Sequence, residues 1–268
     1  MAIKNHIPNS LTCANLLCGC IGIKFAYEGN LLWSVYLIGA ALVFDFFDGF
    51  VARLLKVSSP IGKDLDSLAD MVTFGVLPGV IMYQLIFKAD CFHPGWHTVI
   101  NNKPLLPYIA FMIPVFSALR LAKFNNDPRQ TDSFIGVPTP AVTMFIASIP
   151  LMISDPLVRP PQQGWTFYPP LSGVLDTLSV FSDTQTGLPI PLGHAPNFTD
   201  QIFSNIYVLI AITIVVSFLL VSELPLFALK FKNFSWADNK IRFVFLICCV
   251  VLMIIFKFAA IPLIIILY

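Results

Sequence analysis

Seven apolar runs recur along this chain, at Leu11–Ala26, Leu31–Phe47, Leu68–Phe87, Leu105–Leu121, Val137–Ile153, Ile202–Leu220 and Phe243–Tyr268. Most are near the roughly 20 residues an α-helix needs to cross the hydrocarbon of a bilayer. A soluble core accounts for one or two such runs, not seven. Composition agrees: 57% of the 268 residues are hydrophobic and 12% are charged, against about 25% charged in soluble domains. The last run contains Lys257 and Pro262 and reads as a span followed by a returning span. The expectation is an all-α polytopic membrane protein with seven or eight transmembrane helices, forming one membrane domain over residues 1–268.

The largest compositional break is Asp155–Asp200, which holds eight of the 21 prolines. This proline-rich segment, 155–200, cannot span and reads as an outer loop, with Trp165, Phe167 and Tyr168 as interfacial aromatics. With the N-terminus inside, Lys4, Arg53, Lys56, Lys63, Arg120, Lys123, Arg129, Lys230, Lys232, Lys240 and Arg242 fall on inner loops. These are 11 of the 16 Lys and Arg residues, and the bias orients the protein by the positive-inside rule. The first run lacks a basic leader and a small-residue cleavage site, so no cleavable signal peptide is expected.

Cysteine and histidine add little chemistry. Cys13, Cys18, Cys20, Cys248 and Cys249 lie inside apolar runs and read as packing residues, while Cys91 stands alone in an outer loop. His93 and His97 have helical metal-ligand spacing, but Pro94 and Gly95 between them break the helix.

Four aspartates are the electrostatic anomaly. Asp45 and Asp48 end one run, and Asp66 and Asp70 begin the next. Each costs roughly 2.5–3.5 kcal/mol at the centre of a membrane helix on insertion scales. Asp45 and Asp48 are three apart and share a helix face, as do Gly62, Asp66 and Asp70 at spacings of four. The short connection Arg53–Ile61 makes the two helices antiparallel neighbours, so the two stripes converge. Asp64 falls off this face and is expected to meet water or lipid headgroups. Hard oxygen ligands suit Mg²⁺, Mn²⁺ or Ca²⁺. Gly49 and Ala52 leave room for a ligand beside the carboxylates, and Arg53 adds a planar fork suited to phosphate. The competing structural reading is a helix pair tied by Asp–Arg and Asp–Lys bridges. It has only Arg53, Lys56 and Lys63 to offset five acids, Asp64 included.

The ordered pattern Asp45-x2-Asp48-Gly49-x2-Ala52-Arg53-x8-Gly62-x3-Asp66-x3-Asp70 resembles the signature of the CDP-alcohol phosphotransferase (CDP-alcohol phosphatidyltransferase) family, with eight specified positions in register. The resemblance implies that a CDP-linked lipid gives its phosphatidyl group to an alcohol and releases CMP. It implies metal ligation by Asp45, Asp48, Asp66 and Asp70, with Asp70 also the general base. Gly49, Ala52, Arg53 and Gly62 would lie at the nucleotide diphosphate, and Ser59, Asn9 and Thr12 would add nucleotide contacts. The implied cofactor is Mg²⁺ or Mn²⁺, in one or two ions, with no organic cofactor. A homodimer is implied as well, in the cell membrane, with the active site at the cytoplasmic edge. No nucleic-acid partner is expected.

The IPNSLTCANLLCG opening, the DSLADMVTFGVLPG run and SALRLAKFN followed by FIGVPTPA resemble the phosphatidylserine synthase branch over most of Ile7–Ile153. A weaker likeness covers Leu226–Lys232. The substrates so implied are CDP-diacylglycerol and L-serine. Serine needs a cation for its carboxylate, and Arg120, with Ser117 one turn earlier, lies on the same side as Asp70. The same Arg120 also fits a positive-inside anchor. Thr73 and Phe74 read as packing, and Gly136–Pro140 as a rigid break before the fifth span. Glycerol 3-phosphate would also favour a cationic pocket, so phosphatidylglycerophosphate synthase is the nearest alternative enzyme. Outside enzymes, a divalent-cation transporter would need acidic or polar groups continuing through the bilayer, and the runs after Asp70 are mostly apolar. A non-catalytic lipid-binding scaffold would not need four carboxylates.

Overall fold

A computed structural model describes residues 6–57, 59–91, 99–100, 103–126, 134–153, 198–223, 225–226 and 236–267. Most of segment 155–200, His93, His97 and Arg129 lie outside the described residues. Helix dominates the rest: α1 (His6–Tyr27), α2 (Leu31–Leu55), α3 (Pro60–Asp70), α4 (Leu77–Cys91), α5 (Met112–Asn126), α6 (Thr139–Met152), α7 (Phe198–Phe203), α8 (Ile206–Val221), α9 (Trp236–Phe256) and α10 (Ala260–Leu267). A π-helical turn, Met71–Val76, joins α3 to α4, and a 3₁₀ segment, Leu106–Phe111, leads into α5. Two antiparallel ladders of two residues per strand complete the inventory, Val99–Ile100 with Lys103–Pro104 and Phe134–Ile135 with Pro225–Leu226.

Four described stretches are long and apolar enough to cross a bilayer: His6–Tyr27, Leu31–Leu55, Pro60–Ala89 and Leu106–Asn126. Thr139–Met152, Ile206–Val221 and Ile247–Phe256 are apolar but shorter. The sequence predicts a full span at Val137–Ile153, yet α6 has 14 residues, about 21 Å at 1.5 Å per residue. Pro138 precedes it in an extended conformation, and Ile153 ends it in another. The predicted break near Lys257 is present, because Lys257 has a φ of 51° and separates α9 from α10.

Large apolar side chains cover the outside, among them Trp33, Phe46, Phe50 and Leu54 on α2 and Val115 and Leu119 on α5. Lipid is as apolar as leucine, so close packing and interhelical hydrogen bonds hold such helices together. α1 runs along α2 and also meets α3 and α4. Gly19 lets the π turn approach, since a Cβ there would lie 3.1 Å from the Thr73 Cα. Ser34 donates from α2 to the Gly22 carbonyl at 2.9 Å. The inner layer, Ile38, Leu77, Ile81, Met82, Ile113, Ile146 and Leu209, is fully buried between α2, α4, α5, α6 and α8.

Pro78 explains the π turn. A proline inside a helix lacks the N–H that the carbonyl four residues earlier would accept, and its ring clashes with that carbonyl. The carbonyl in question belongs to Phe74. The helix widens over Met71–Val76, and the Leu77 N–H reaches back five residues to the Val72 carbonyl. Thr143 Oγ1 on α6 supplies the missing donor to the Phe74 carbonyl at 2.7 Å. Asp70 is the last residue before this widened turn.

Candidate active site

The connection between α2 and α3 is short because both ends are capped. Lys56 takes a left-handed conformation with φ of 52°, and the Val57 N–H donates to the Ala52 carbonyl at 3.0 Å. That closes α2 in the manner of a Schellman turn, with lysine where glycine is usual. Ser59 then caps α3 by accepting from the Gly62 N–H at 3.0 Å, with Pro60 in the first turn. α1 packs on both helices and brings Thr12 to Asp48 and Asn15 to Asp70 within its first three turns.

Asp45, Asp48 and Asp66 each offer a carboxylate oxygen, and the three oxygens lie within 4.8 Å of one another. Asp48 is buried, while Asp45, Asp66 and Asp70 are half-buried. Asp70 lies next to this group, within electrostatic reach of Asp45 and Asp66. Two unit charges 4 Å apart repel by about 4 kcal/mol at an effective dielectric of 20. A divalent cation turns that repulsion into attraction, and an all-oxygen set of this size fits a hard cation. Salt bridges do not supply the compensation: the ion pair found among the described residues is Lys24–Glu28, far along α1. The bridged-helix alternative therefore fails for these carboxylates.

A cavity of about 250 Å³ opens beside the group, with Asp48 and Asp66 on its wall. The other walls come from α1 (Pro8, Asn9, Thr12), α2 (Gly49, Ala52) and the start of α3 (Ser59, Gly62, Lys63), with Val57 between the helices. Thr12 Oγ1 donates to Asp48 Oδ2 at 2.6 Å, fixing that carboxylate from outside. A Cβ on Gly49 would meet nothing within 4 Å, so that stretch of backbone is bare. Gly62 is tighter, since a Cβ there would lie 3.0 Å from Ser59 Oγ and 3.1 Å from Asn9 Oδ1. Arg53 is exposed, is not on the cavity wall, and donates through Nε to the Gly49 carbonyl at 3.0 Å. Asp64 is exposed, off the shared face as its spacing predicts.

Ser117 and Arg120 are buried on α5 and lie apart from the cavity wall, Ser117 against Gly75 of the π turn. Arg120 Nε donates to the Val137 carbonyl at 3.0 Å and Nη1 to Thr139 Oγ1 at 3.4 Å. Its guanidinium also stacks over Phe124, 5.3 Å from the ring centroid, and Asp70 lies within its electrostatic reach. Gly136, with φ of 81°, makes the bend that presents the Val137 carbonyl. A surface anchor would be exposed, whereas Arg120 is 8% exposed. Thr73 and Phe74 are fully buried packing residues.

Two residues escape the sequence reading. Lys63 brings a cation to the cavity rim. Asn15 is fully buried on α1, and its Nδ2 donates to Asp70 Oδ1 at 3.4 Å. Its visible signal is a position three residues past Thr12 and six past Asn9, in an otherwise apolar run.

Known proteins resemble this chain over the region that carries the site. The family model described as CDP-alcohol phosphatidyltransferase matches residues 5–181. The chain is 34% identical over 146 residues to a CDP-diacylglycerol–serine O-phosphatidyltransferase of Bacillus subtilis (strain 168), covering 53% of this chain and 73% of the relative. A protein of the same name from Mycobacterium leprae (strain TN) is 35% identical over 150 residues, 53% of this chain and 46% of the relative. One from Methanocaldococcus jannaschii is 31% identical over 153 residues, 57% of this chain and 64% of the relative. The match thus spans about half the length of the mycobacterial relative, nearly two thirds of the archaeal one and nearly three quarters of the one from Bacillus subtilis. The matched region holds every residue of the carboxylate group, its cavity and the Asn15–Asp70–Arg120 side, and the chain belongs to the CDP-alcohol phosphatidyltransferase family.

Proposed function

We propose that the protein transfers the phosphatidyl group of CDP-diacylglycerol to L-serine, giving phosphatidylserine and CMP. The observation that carries this reading is the convergence of Asp45, Asp48 and Asp66 on a cavity walled by Gly49, Ala52 and Gly62, at one end of membrane helices. Acyl chains of the donor stay in lipid there, while nucleotide and alcohol arrive from water. Serine as acceptor is supported by the activity that the relatives are named for and by Arg120 within electrostatic reach of Asp70.

Asp45, Asp48 and Asp66 would hold Mg²⁺ or Mn²⁺, one ion or two, with Asp70 at the edge of the set. A bound ion would neutralise charge on the diphosphate and on the departing CMP. The chain's own residues do the rest. Gly49, Ala52 and Gly62 let the diphosphate lie against backbone, with Asn9, Thr12 and Ser59 lining the nucleotide side. Arg53 and Lys63 approach the phosphates from the aqueous side. Asp70 is displaced from the three-carboxylate group and has its own donor in Asn15, which suits a proton acceptor. The serine hydroxyl gives its proton to Asp70 as its oxygen bonds to the lipid-bearing phosphorus. The phosphorus–oxygen bond to CMP breaks, and CMP leaves with the electron pair. Arg120 would hold the serine carboxylate through the N–H groups not committed to Val137 and Thr139.

The same reading places the protein in the cell membrane with the site facing the cytoplasm, on the charge asymmetry of its loops. It carries with it the homodimer that the family resemblance implies. Purified protein incubated with CDP-diacylglycerol, Mn²⁺ or Mg²⁺, and labelled serine, inositol or glycerol 3-phosphate tests the acceptor. Serine incorporation with metal-dependent CMP release is expected. Incorporation of glycerol 3-phosphate without serine would overturn the acceptor while keeping the chemistry.

A further inference from the structure

Asn15 does more than touch Asp70. A carboxylate accepts hydrogen bonds, so the Asn15 amide presents its NH₂ to Asp70 and turns its carbonyl oxygen elsewhere. That oxygen, Oδ1, is buried and has no hydrogen-bond partner among the described residues. Its backbone is fixed, because Thr73 Oγ1 donates to the Asn15 carbonyl at 3.2 Å. Buried polar atoms are nearly always paired in native proteins, so an unpaired one beside a reacting carboxylate calls for a partner that arrives from outside the chain. Ser117 Oγ, on α5 against Gly75 of the π turn, and Ser217 Oγ on α8 are the other unpaired buried side-chain atoms among the described residues.

An acceptor alcohol bound at Asp70 brings its other groups to this side. Serine carries a hydroxyl, a carboxylate and an ammonium group. Asp70 takes the hydroxyl proton, and Arg120 matches the carboxylate. The ammonium group still needs an acceptor. We infer that Asn15 Oδ1 receives the ammonium group of the acceptor, which makes Asn15 a specificity-determining residue. This inference rests on the serine-transfer reading given above. A neutral amide oxygen suits the task because a further carboxylate beside four aspartates would compete for the metal. A site built to hydrogen-bond a substrate group rejects analogues lacking it, since its own buried atom stays unpaired.

The test compares serine with 3-hydroxypropionate, which is serine without its amine, in wild-type protein and in Asn15→Leu. The wild type is expected to prefer serine by on the order of 100-fold or more in kcat/KM. In Asn15→Leu that preference falls at least about tenfold, mainly through KM for serine, while KM for CDP-diacylglycerol holds. Mn²⁺-dependent CDP-diacylglycerol binding reports whether the variant is folded, and Asn15→Ala is measured the same way if Asn15→Leu does not bind. A purely structural role would slow both acceptors equally, and an unchanged preference in a folded variant overturns the inference alone. No product from serine with wild-type protein overturns the serine reading and the inference together.

Discussion

The aspartates have two unlike flanks. On one, Gly49, Ala52, Ser59, Gly62 and Lys63 border a cavity of about 250 Å³ with bare backbone and exposed cations. On the other, Asn15, Thr73, Ser117 and Thr143 are fully buried and Arg120 nearly so. Thr73, Thr143 and Arg120 are locked by hydrogen bonds to other segments. The open flank has the room and charge for a nucleotide diphosphate, which varies little across chemistry of this kind. The closed flank is buried and preorganised, so each hydrogen bond made there discriminates strongly. On the proposed function, the nucleotide chemistry would fall to the first flank and the choice of alcohol to the second.

The largest expected effect lies where the flanks meet. Asp70→Asn should lower turnover by about 10²–10⁴-fold, the usual worth of a general base, with CDP-diacylglycerol binding retained. Radiolabelled product formation alongside lipid binding checks it. Retained turnover would remove Asp70 as base. Thr12→Val comes next: it strips the outer hydrogen bond from Asp48 and should weaken Mn²⁺ binding by roughly 10–100-fold, read by Mn²⁺ electron paramagnetic resonance. Thr12→Ser should restore most of it.

Thr143→Val probes the closed flank from a distance. It leaves the Phe74 carbonyl without a donor, at a cost of about 1–3 kcal/mol for an unsatisfied buried group. Thermal stability and turnover should both fall, and Thr143→Ser should recover them. Gly62→Ala probes the open flank, where a methyl would crowd Ser59 and Asn9. It should raise KM for CDP-diacylglycerol severalfold, on the order of 1 kcal/mol of lost binding. Asp64→Asn is the smallest, within about ±0.5 kcal/mol in stability, as for ordinary surface substitutions, and near wild type in rate.

The open flank is legible in the sequence because its geometry is local. Spacings of three and four put Asp45 with Asp48 and Asp66 with Asp70, and Ser59-Pro60 announces the start of α3. The same arithmetic excludes Asp64. The closed flank depends on partners far apart in the chain. Pro78 points to a disturbed helix, but nothing nearby says that Thr143, 69 residues from Phe74, completes the orphaned carbonyl. Arg120 is recognisable as a cation on the right side, whereas its clamp on Val137 and Thr139 requires the Gly136 bend to be seen. Asn15 looks like one polar residue in an apolar run until Asp70 is placed against it. The length of α6 escapes too, because hydropathy does not sense where Pro138 and Ile153 leave the helix.

The two flanks separate most directly in a paired kinetic measurement on Gly62→Ala and Asn15→Leu, with CDP-diacylglycerol and serine varied independently. Gly62→Ala is expected to raise KM for CDP-diacylglycerol and leave that for serine, and Asn15→Leu to do the reverse. If both variants shift both constants in parallel, the aspartates do not divide a nucleotide flank from an acceptor flank.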